Sequence, residues 1–289
     1  MLLSNFIYGL VNSAALAVMA IGFTLTFGIS GVANFAYGAY YVLAAYCTWS
    51  LYHMLSLPYP LAVFVSILLV AAMGGFTYRF VLLRIHGQVI SEVIATFAMG
   101  LLILELLVYF AGGYGRELPA FSDYSFQLGG AYIDLHRLMI IALSGVLVAG
   151  LWVFTHHTRI GLAFRGIAQE EGTALTLGIN SDWIGTLSVS MGVALAGLSA
   201  VALFPLGTVT TIAGYNVMIN ALAVCIIGGM GSTTGLVLAS LLVGFAQKAS
   251  DIYIGSNYRM VVSLAAILLI LFFKPSGLMG KQKELEERI

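Results

Sequence analysis

The chain carries few residues that could do chemistry, and the most unusual of them is Glu105. It is the one carboxylate in the middle of a long apolar run, Leu101-Leu-Ile-Leu-Glu-Leu-Leu-Val. An ionisable side chain at such a position is either functional or a protonated, hydrogen-bonded structural residue that faces another helix. Thr96 lies nine residues earlier, about half a turn away around a regular helix. If the helix is regular, Thr96 and Glu105 therefore cannot face the same pore.

The sequence lacks the motifs of an enzyme or of an ATP-binding protein. Neither a His-Glu-x-x-His pattern nor a Gly-x-Ser-x-Gly elbow is present. The adjacent His156 and His157 end an apolar run, where interfacial polar residues explain them better than metal ligands do. The Gly280-Lys281 pair has Pro275 where a phosphate loop needs its first glycine. We predict no catalytic residue, no metal site and no cofactor.

Two glycine-rich runs stand in comparable positions in the two halves of the chain. They are Phe27-Gly28-Ile29-Ser30-Gly31 and Gly228-Gly229-Met230-Gly231-Ser232, each placed between apolar segments. Paired glycine interruptions of this kind are typical of the substrate site of a membrane transporter. The alternative is that both are tight turns between helices, because glycine serves that purpose equally well.

The composition requires an environment less polar than water. Of the 289 residues, 61% are hydrophobic and 8% are charged, and the mean hydropathy is +1.01. Soluble domains carry about a quarter charged residues, so this apolar surface needs a bilayer. No charged side chain precedes Arg79, so we expect the first apolar segment to be retained as a membrane helix and not cleaved as a signal peptide. The formal net charge is zero, and no nucleic-acid partner is indicated.

Apolar segments long enough to cross a bilayer recur along the chain. We predict an all-α integral membrane protein, a polytopic helical bundle of about nine segments (eight to ten) with glycine-broken helices. The apolar run 216–250 is too long for one membrane span and rather short for two. We therefore expect two short or discontinuous helices there. The remaining predicted spans are 5–27, 32–52, 59–80, 91–112, 137–155, 183–204 and 258–273.

The basic residues predict an orientation. In a nine-span model, eight of the twelve lysines and arginines fall on one side, which should be cytoplasmic. These eight are Arg79, Arg84, Arg159, Arg165, Lys274, Lys281, Lys283 and Arg288. The N-terminus is then external, 113–136 is an external loop, and 156–182 and the tail 274–289 are cytoplasmic.

The cytoplasmic loop contains a candidate docking element. Residues 161–180 read as a short amphipathic helix that ends at Gly178, a plausible C-cap. Glu170 and Glu171 lie on its polar side, while Ala174 and Leu177 offer a small apolar surface. This pattern favours docking into a groove on a partner protein. The alternative is a helix that lies on the membrane surface. Only Arg159 and Arg165 would supply the basic charge that attracts such a helix to anionic lipids.

Several of these segments resemble one known family, and they stand in that family's order over most of the chain. The segments are 20–38, the Ile94-Ala95-Thr96 triplet, the 228–232 turn, and the loop residues Gly161, Arg165, Ala168, Glu170, Ala174, Gly178 and Ile179. Together they resemble the permeases of branched-chain amino-acid ABC transporters, of the LivH/LivM type and closer to LivH. The chain departs from the family at Tyr37, where many members carry histidine, and at several loop positions, namely Gln169, Gly172, Thr173 and Leu175.

The resemblance implies a single permease domain over 1–289 in a bacterial inner membrane. It implies a second permease chain, two cytoplasmic ABC ATPase subunits and a periplasmic substrate-binding protein as partners. By resemblance the substrate is leucine, isoleucine or valine, or a related small amino acid. Open alternatives are a permease for urea or short amides, and an ion-coupled secondary carrier that uses Glu105.

Two sets of site residues follow from the motifs and the resemblance together. The loop positions expected to contact the ATPase are Gly161, Arg165, Ala168, Glu170, Ala174 and Gly178. The positions expected to line the substrate pathway are Asn34, Tyr37, Thr96, Glu105, Gly228, Gly229 and Gly231.

Overall fold

The computed structural model describes residues 2–30, 33–112, 114–119, 124–128, 131–229 and 231–280. Within these ranges the chain is almost entirely helical, with one antiparallel hairpin of strands β1 (Ser125–Leu128) and β2 (Ala131–Asp134). The α-helices are α1 (Leu2–Ser30), α2 (Tyr37–His53), α3 (Tyr59–Phe80), α4 (Val89–Ala111), α5 (Leu135–His157), α6 (Arg159–Gln169), α7 (Glu171–Thr176), α8 (Ser181–Leu203), α9 (Ala213–Gly228), α10 (Thr233–Tyr253) and α11 (Arg259–Phe273).

In the part of the chain that the structure describes, seven helical segments are long and apolar enough to cross a membrane. Six are α1, α3, α4, α5, α8 and α10, and the seventh is α11 together with the 3-10 turn Ser256–Tyr258 before it, 18 residues in all. The prediction of a polytopic helical membrane protein is therefore confirmed. Helices α2 and α9 coincide with further predicted spans but have 17 and 16 residues, fewer than the about 20 that a crossing needs. The count of about nine spans stays a prediction.

Helices α1, α2 and α8 form the centre of the bundle. The membrane-crossing window is 61% buried in α1 and 67% buried in α8, against 22% in α4 and α5 and 6% in α11. Two polar side chains of α2 have partners on α3. The Tyr40 hydroxyl lies 2.6 Å from that of Thr77, and the Thr48 hydroxyl lies 2.6 Å from that of Ser66. These pairs satisfy hydroxyl groups in a region without water.

The outlying helix α11 is attached through an ion pair of Arg259 with Asp251 of α10 and through one buried polar cluster. The amide of Gln247 in α10 donates to the Ser263 hydroxyl at 2.7 Å and to the Asn220 side-chain oxygen at 3.0 Å. Asn12 of α1 donates to the Gln247 side-chain oxygen at 3.1 Å. Ser263 is the one buried residue of α11, so these hydrogen bonds join the edge of the bundle to its centre.

The loops gather at two opposite ends of the bundle. One, which we call the coupling end, comprises the α3–α4 loop, α6 and α7, the α9–α10 turn and residues 274–280. The other, the hairpin end, comprises the α2–α3 loop, residues 114–119, 124–128 and 131–134, and the α8–α9 loop. There the Arg116 guanidinium stacks over Trp49 at 4.1 Å, and its backbone pairs with Val209. The start of α1 also lies at the hairpin end, because Tyr8 contacts Arg137.

The first glycine-rich run does not break a helix as the sequence suggested. Helix α1 continues through Gly28 to Ser30, and the next helix begins at Tyr37, five residues after the predicted start of the span. A Cβ atom on Gly28 would lie 3.3 Å from the Gly231 Cα. Gly28 therefore serves close packing between α1 and the α9–α10 turn, and the chain turns only after it.

Candidate functional site

The coupling end is built around α6, whose sequence positions it firmly. The Thr158 hydroxyl accepts a hydrogen bond from the Gly161 amide at 2.9 Å and so caps the start of the helix. A Cβ atom on Gly161 would lie 2.0 Å from the Phe154 carbonyl oxygen, so only glycine allows α6 to turn back against α5. Phe164 and Ile167 are buried. The predicted amphipathic helix is therefore present, with its apolar face on the bundle.

The second half of the predicted docking helix differs from the expectation. Extended backbone at Glu170, with φ −156°, separates α6 from the short helix α7. Gly178 ends α7 in the left-handed region with φ +82°, and the Ile179 amide donates to the Ala174 carbonyl at 3.1 Å. This is the C-cap that the sequence predicted.

The exposed apolar surface of the docking element differs from the predicted one at Ala174. Ala174, expected on the apolar docking surface, is 3% exposed and packs inward instead. The exposed apolar side chains are Leu162, Leu175 and Leu177, the last of them 77% exposed. Ala174 is thus part of the buried core and is not available to a partner protein.

Arg165 and Ala168 bring α6 to the glycine-rich positions. Both line a cavity of about 70 Å³ that Gly28 and Gly231 also line. The Arg165 Nε atom is buried and has no hydrogen-bond partner among the described residues. The cavity thus brings the loop predicted to contact the ATPase next to Gly231, one of the three glycines predicted to line the pathway.

The α9–α10 turn is closed by the segment that follows α11. Gly229 has φ +93°, and a Cβ atom there would lie 2.2 Å from the Gly280 amide nitrogen. The Leu278 and Met279 amides donate to the carbonyls of Ile227 and Gly228 at 2.8 Å and 3.0 Å. Gly228 and Gly229 are therefore covered, and their place on the pathway stays a prediction.

Asn34 and Thr96 come together in a second, smaller cavity. It measures about 10 Å³ and is also lined by Tyr78 and Glu92, which leaves room for no more than one water molecule. The Asn34 side chain accepts from the Ala36 amide at 3.0 Å, and the Thr96 hydroxyl donates to the Glu92 carbonyl at 2.9 Å. Polar groups from the two segments thus face one closed space between α1, α3, α4 and α8.

The other two predicted pathway residues lie apart from this cavity. Tyr37 is fully enclosed, and its hydroxyl donates to the Met19 carbonyl at 2.7 Å. Glu105 lies on the exposed face of α4, beside the exposed Leu102 and Leu106. Thr96 is 2% exposed on the same helix, so the two residues do occupy different faces. The structure does not bring Glu105 to the other candidates.

Glu92 is the residue that sequence reasoning missed. It is 4% exposed, and its carboxylate accepts from the Gly87 amide at 2.9 Å. It is the second residue of the predicted span 91–112, a position where a carboxylate is expected to reach the membrane surface. The available signal was its spacing, because Glu92 and Thr96 are four residues apart and so share one face of α4.

A larger cavity of about 780 Å³ lies elsewhere, between α1, α5 and α10. Its lining is mostly apolar, as at Leu10, Val148 and Leu241, and none of the predicted pathway residues contributes to it. Such a lining suits hydrocarbon and not a zwitterionic amino acid, whose charges would be left without partners.

The seven apolar helical segments among the described residues define a multi-pass membrane protein. The family described as the permease component of the branched-chain amino acid transport system matches residues 5–271. The chain belongs to this family. It is therefore a permease component of a transport system and not an enzyme.

Proteins with assigned transport roles are similar over nearly their full length. The chain is 28% identical to the high-affinity branched-chain amino acid permease protein BraD of Pseudomonas aeruginosa, covering 96% of both chains. It is 27% identical to LivH of Escherichia coli strain K12, covering 94% of both. It is 25% identical to a probable LivH of Methanocaldococcus jannaschii, covering 94% of this chain and 90% of the relative.

A solved structure shares the overall fold. PsaBC from Streptococcus pneumoniae, in complex with a Fab, superposes with a TM-score of 0.52 at 12% identity, covering 93% of this chain and 91% of that one. At this identity the likeness concerns the arrangement of helices alone.

Proposed function

We propose that the chain is the transmembrane permease subunit of an ATP-binding-cassette importer for branched-chain amino acids. Leucine, isoleucine and valine are the first candidates, since BraD and LivH are named for that transport. Two ATPase subunits bind the coupling end. A second permease chain, which is either related or identical to this one, completes the pore. A periplasmic binding protein delivers the substrate. The coupling end faces the cytoplasm.

One observation carries the proposal: α6 connects the exterior of the coupling end to the glycine turn. Its inner face holds Arg165 against the cavity that Gly28 and Gly231 line. Exposed leucines on α6 and α7 offer the outer surface to a partner. A helix that touches both an ATPase and the base of the bundle can convert closure of the ATPase into movement of the helices.

The closed cavity at Asn34 and Thr96 supports alternating access. A space of about 10 Å³ does not admit an amino acid. Transport therefore requires that α1, α3, α4 and α8 separate around it, and the polar groups of Asn34, Glu92 and Thr96 would then line the opened pathway. These groups suit the charged ends of an amino acid.

Uptake of radiolabelled leucine tests the proposal in cells that lack the gene and in cells that carry it. We expect the gene to restore uptake, ATP depletion to abolish it, and collapse of the membrane potential at constant ATP to leave it intact.

Uptake that follows the membrane potential and ignores ATP would contradict the proposal and favour an ion-coupled carrier. ATP-dependent uptake of urea or short amides, without leucine uptake, would keep the ABC permease and replace its substrate.

A further inference from the structure

A chain of polar contacts crosses the coupling end from α7 to α4. His86, in the loop between α3 and α4, lies between two carboxylates. Its Nδ1 atom is 3.2 Å from Oε1 of Glu92, and its Nε2 atom is 3.9 Å from Oε1 of Glu171. Glu92 belongs to the first turn of α4 and Glu171 begins α7.

The inner half of this chain is fixed. The side chain of Glu92 is 5% exposed, and its Oε1 atom also accepts from the Gly87 amide. Gly87 has φ +87°, a conformation that lets its amide point back at the helix start. Two contacts thus hold the loop to the first turn of α4: the His86 ring lies against the Glu92 carboxylate, and the neighbouring Gly87 amide donates to it.

The outer half is adjustable. Glu171 accepts a hydrogen bond from the Ser181 hydroxyl at the start of α8, and its side chain is 44% exposed. The 3.9 Å separation between the His86 Nε2 atom and the Glu171 Oε1 atom is longer than a hydrogen bond of about 2.7–3.2 Å. A movement of α7 of about 1 Å toward the loop closes it to a hydrogen bond, and a similar movement away breaks it.

The inner end of the chain reaches the substrate region. Glu92 lines the closed cavity with Asn34 and Thr96, and its carbonyl accepts from the Thr96 hydroxyl. The outer end is on the loop that is proposed to contact the ATPase. Displacement of α7 is therefore transmitted through three side chains to the start of α4.

We propose that His86 is a positioning residue that couples movement of the α6–α7 loop to α4 and so to the opening of the cavity at Asn34 and Thr96. This inference rests on the proposed function. His86 has no role in binding ATP or substrate. It determines how much transport each hydrolysis event produces.

The test uses the complete transporter, reconstituted in proteoliposomes with its ATPase subunits, second permease chain and binding protein. The measured quantity is leucine transported per ATP hydrolysed. Loss of folded protein lowers transport and hydrolysis together and leaves their ratio unchanged, so the ratio reports coupling. We expect His86→Ala to lower this ratio about fivefold or more, while ATP hydrolysis continues.

Further variants distinguish loss of the His86–Glu171 contact from effects that any histidine or glutamate substitution would have. His53→Ala removes an exposed histidine at the hairpin end, and we expect it to keep the wild-type ratio. Glu171→Gln retains an oxygen for the Ser181 hydroxyl but weakens the attraction to His86, and we expect it to lower the ratio in the same direction. If both residues act through one contact, the double variant is no worse than His86→Ala alone.

An unchanged ratio in His86→Ala, or losses that multiply in the double variant, would overturn the role of His86. Should His86→Ala fail to fold, Glu171→Gln against the control Glu117→Gln decides the question by the same measure. A wild-type complex without ATP-dependent leucine transport would instead remove the proposed function, and the inference with it.

Discussion

The two glutamates of α4 lie in opposite surroundings although they share one helix. Glu92 is buried and accepts from the Gly87 amide, whereas Glu105 is exposed among leucines on the outer face. A buried carboxylate is tolerated where donors meet it. A carboxylate on an apolar face gains no such compensation from hydrocarbon. The same side chain therefore stabilises the fold at one position and does not at the other.

The glutamates give a matched pair of substitutions. We expect Glu92→Leu to lower the free energy of unfolding by about 1–3 kcal/mol, because the Gly87 amide loses its acceptor. We expect Glu105→Leu to cause no loss, because it removes a charge from an apolar surface. Chemical denaturation of the purified chain in detergent measures both.

Equal destabilisation by the two changes would contradict the different environments of the glutamates. Leucine uptake by Glu105→Leu adds a second readout, because loss of transport in a stable variant would place Glu105 on the pathway, as the sequence predicts.

At the scale of elements, the docking loop is two short helices with different tasks. Helix α6 buries Phe164 and Ile167 and fixes the loop to the bundle, while α7 buries only Ala174 among its residues and ends at the exposed Leu177. The extended residue Glu170 interrupts the helix between them, so α6 and α7 are separate elements. Such a division suits a loop that must stay attached and still respond to a partner.

The exposed end of α7 provides a direct test of docking. We expect Leu177→Asp to abolish leucine uptake and copurification of the ATPase subunits, because a charge would enter an apolar contact. Folding should not change, since Leu177 is 77% exposed.

Leu55→Asp is the control, because Leu55 is 65% exposed at the opposite end of the chain's bundle. Retained ATPase binding by Leu177→Asp would show that the docking surface lies elsewhere.

Element positions were largely predictable from the sequence, and the details of close packing were not. Apolar length located the membrane helices, and Gly178 located the end of α7. The continuation of α1 through Gly28 was not predictable, since it depends on the contact with Gly231, more than two hundred residues away. Glu92 was missed for a similar reason: its burial depends on the loop that folds over it. Asn34 and Thr96 were predicted separately, and only the fold shows that they share a cavity.

At the scale of the whole molecule, the described basic residues divide between the two ends. Arg79, Arg84, Arg159, Arg165 and Lys274 belong to segments that meet at the coupling end. The excess of lysine and arginine on cytoplasmic loops predicts that this end faces the cytoplasm. The start of α1 then faces outward.

Cysteine labelling tests this orientation in a chain with Cys47 and Cys225 replaced by alanine. Ser56→Cys at the hairpin end should react with a membrane-impermeant maleimide in intact cells, because Ser56 is exposed in the α2–α3 loop. Thr173→Cys in α7 should react only after the membrane is opened. The reverse pattern would invert the proposed topology and place the docking loop outside.

The short helix α2 has a consequence for how the protein enters the membrane. It carries the tyrosines Tyr37, Tyr40, Tyr41 and Tyr46 together with Thr48, all of them buried by other helices. Hydroxyl groups in the hydrocarbon region need hydrogen-bond partners. The partners of Tyr40 and Thr48 lie on α3, which is synthesised directly after α2, and the Tyr37 hydroxyl donates to a carbonyl of α1. Helix α8, which also packs on α2, is synthesised more than a hundred residues later. The final packing of α2 is therefore complete only after α8 has entered the membrane.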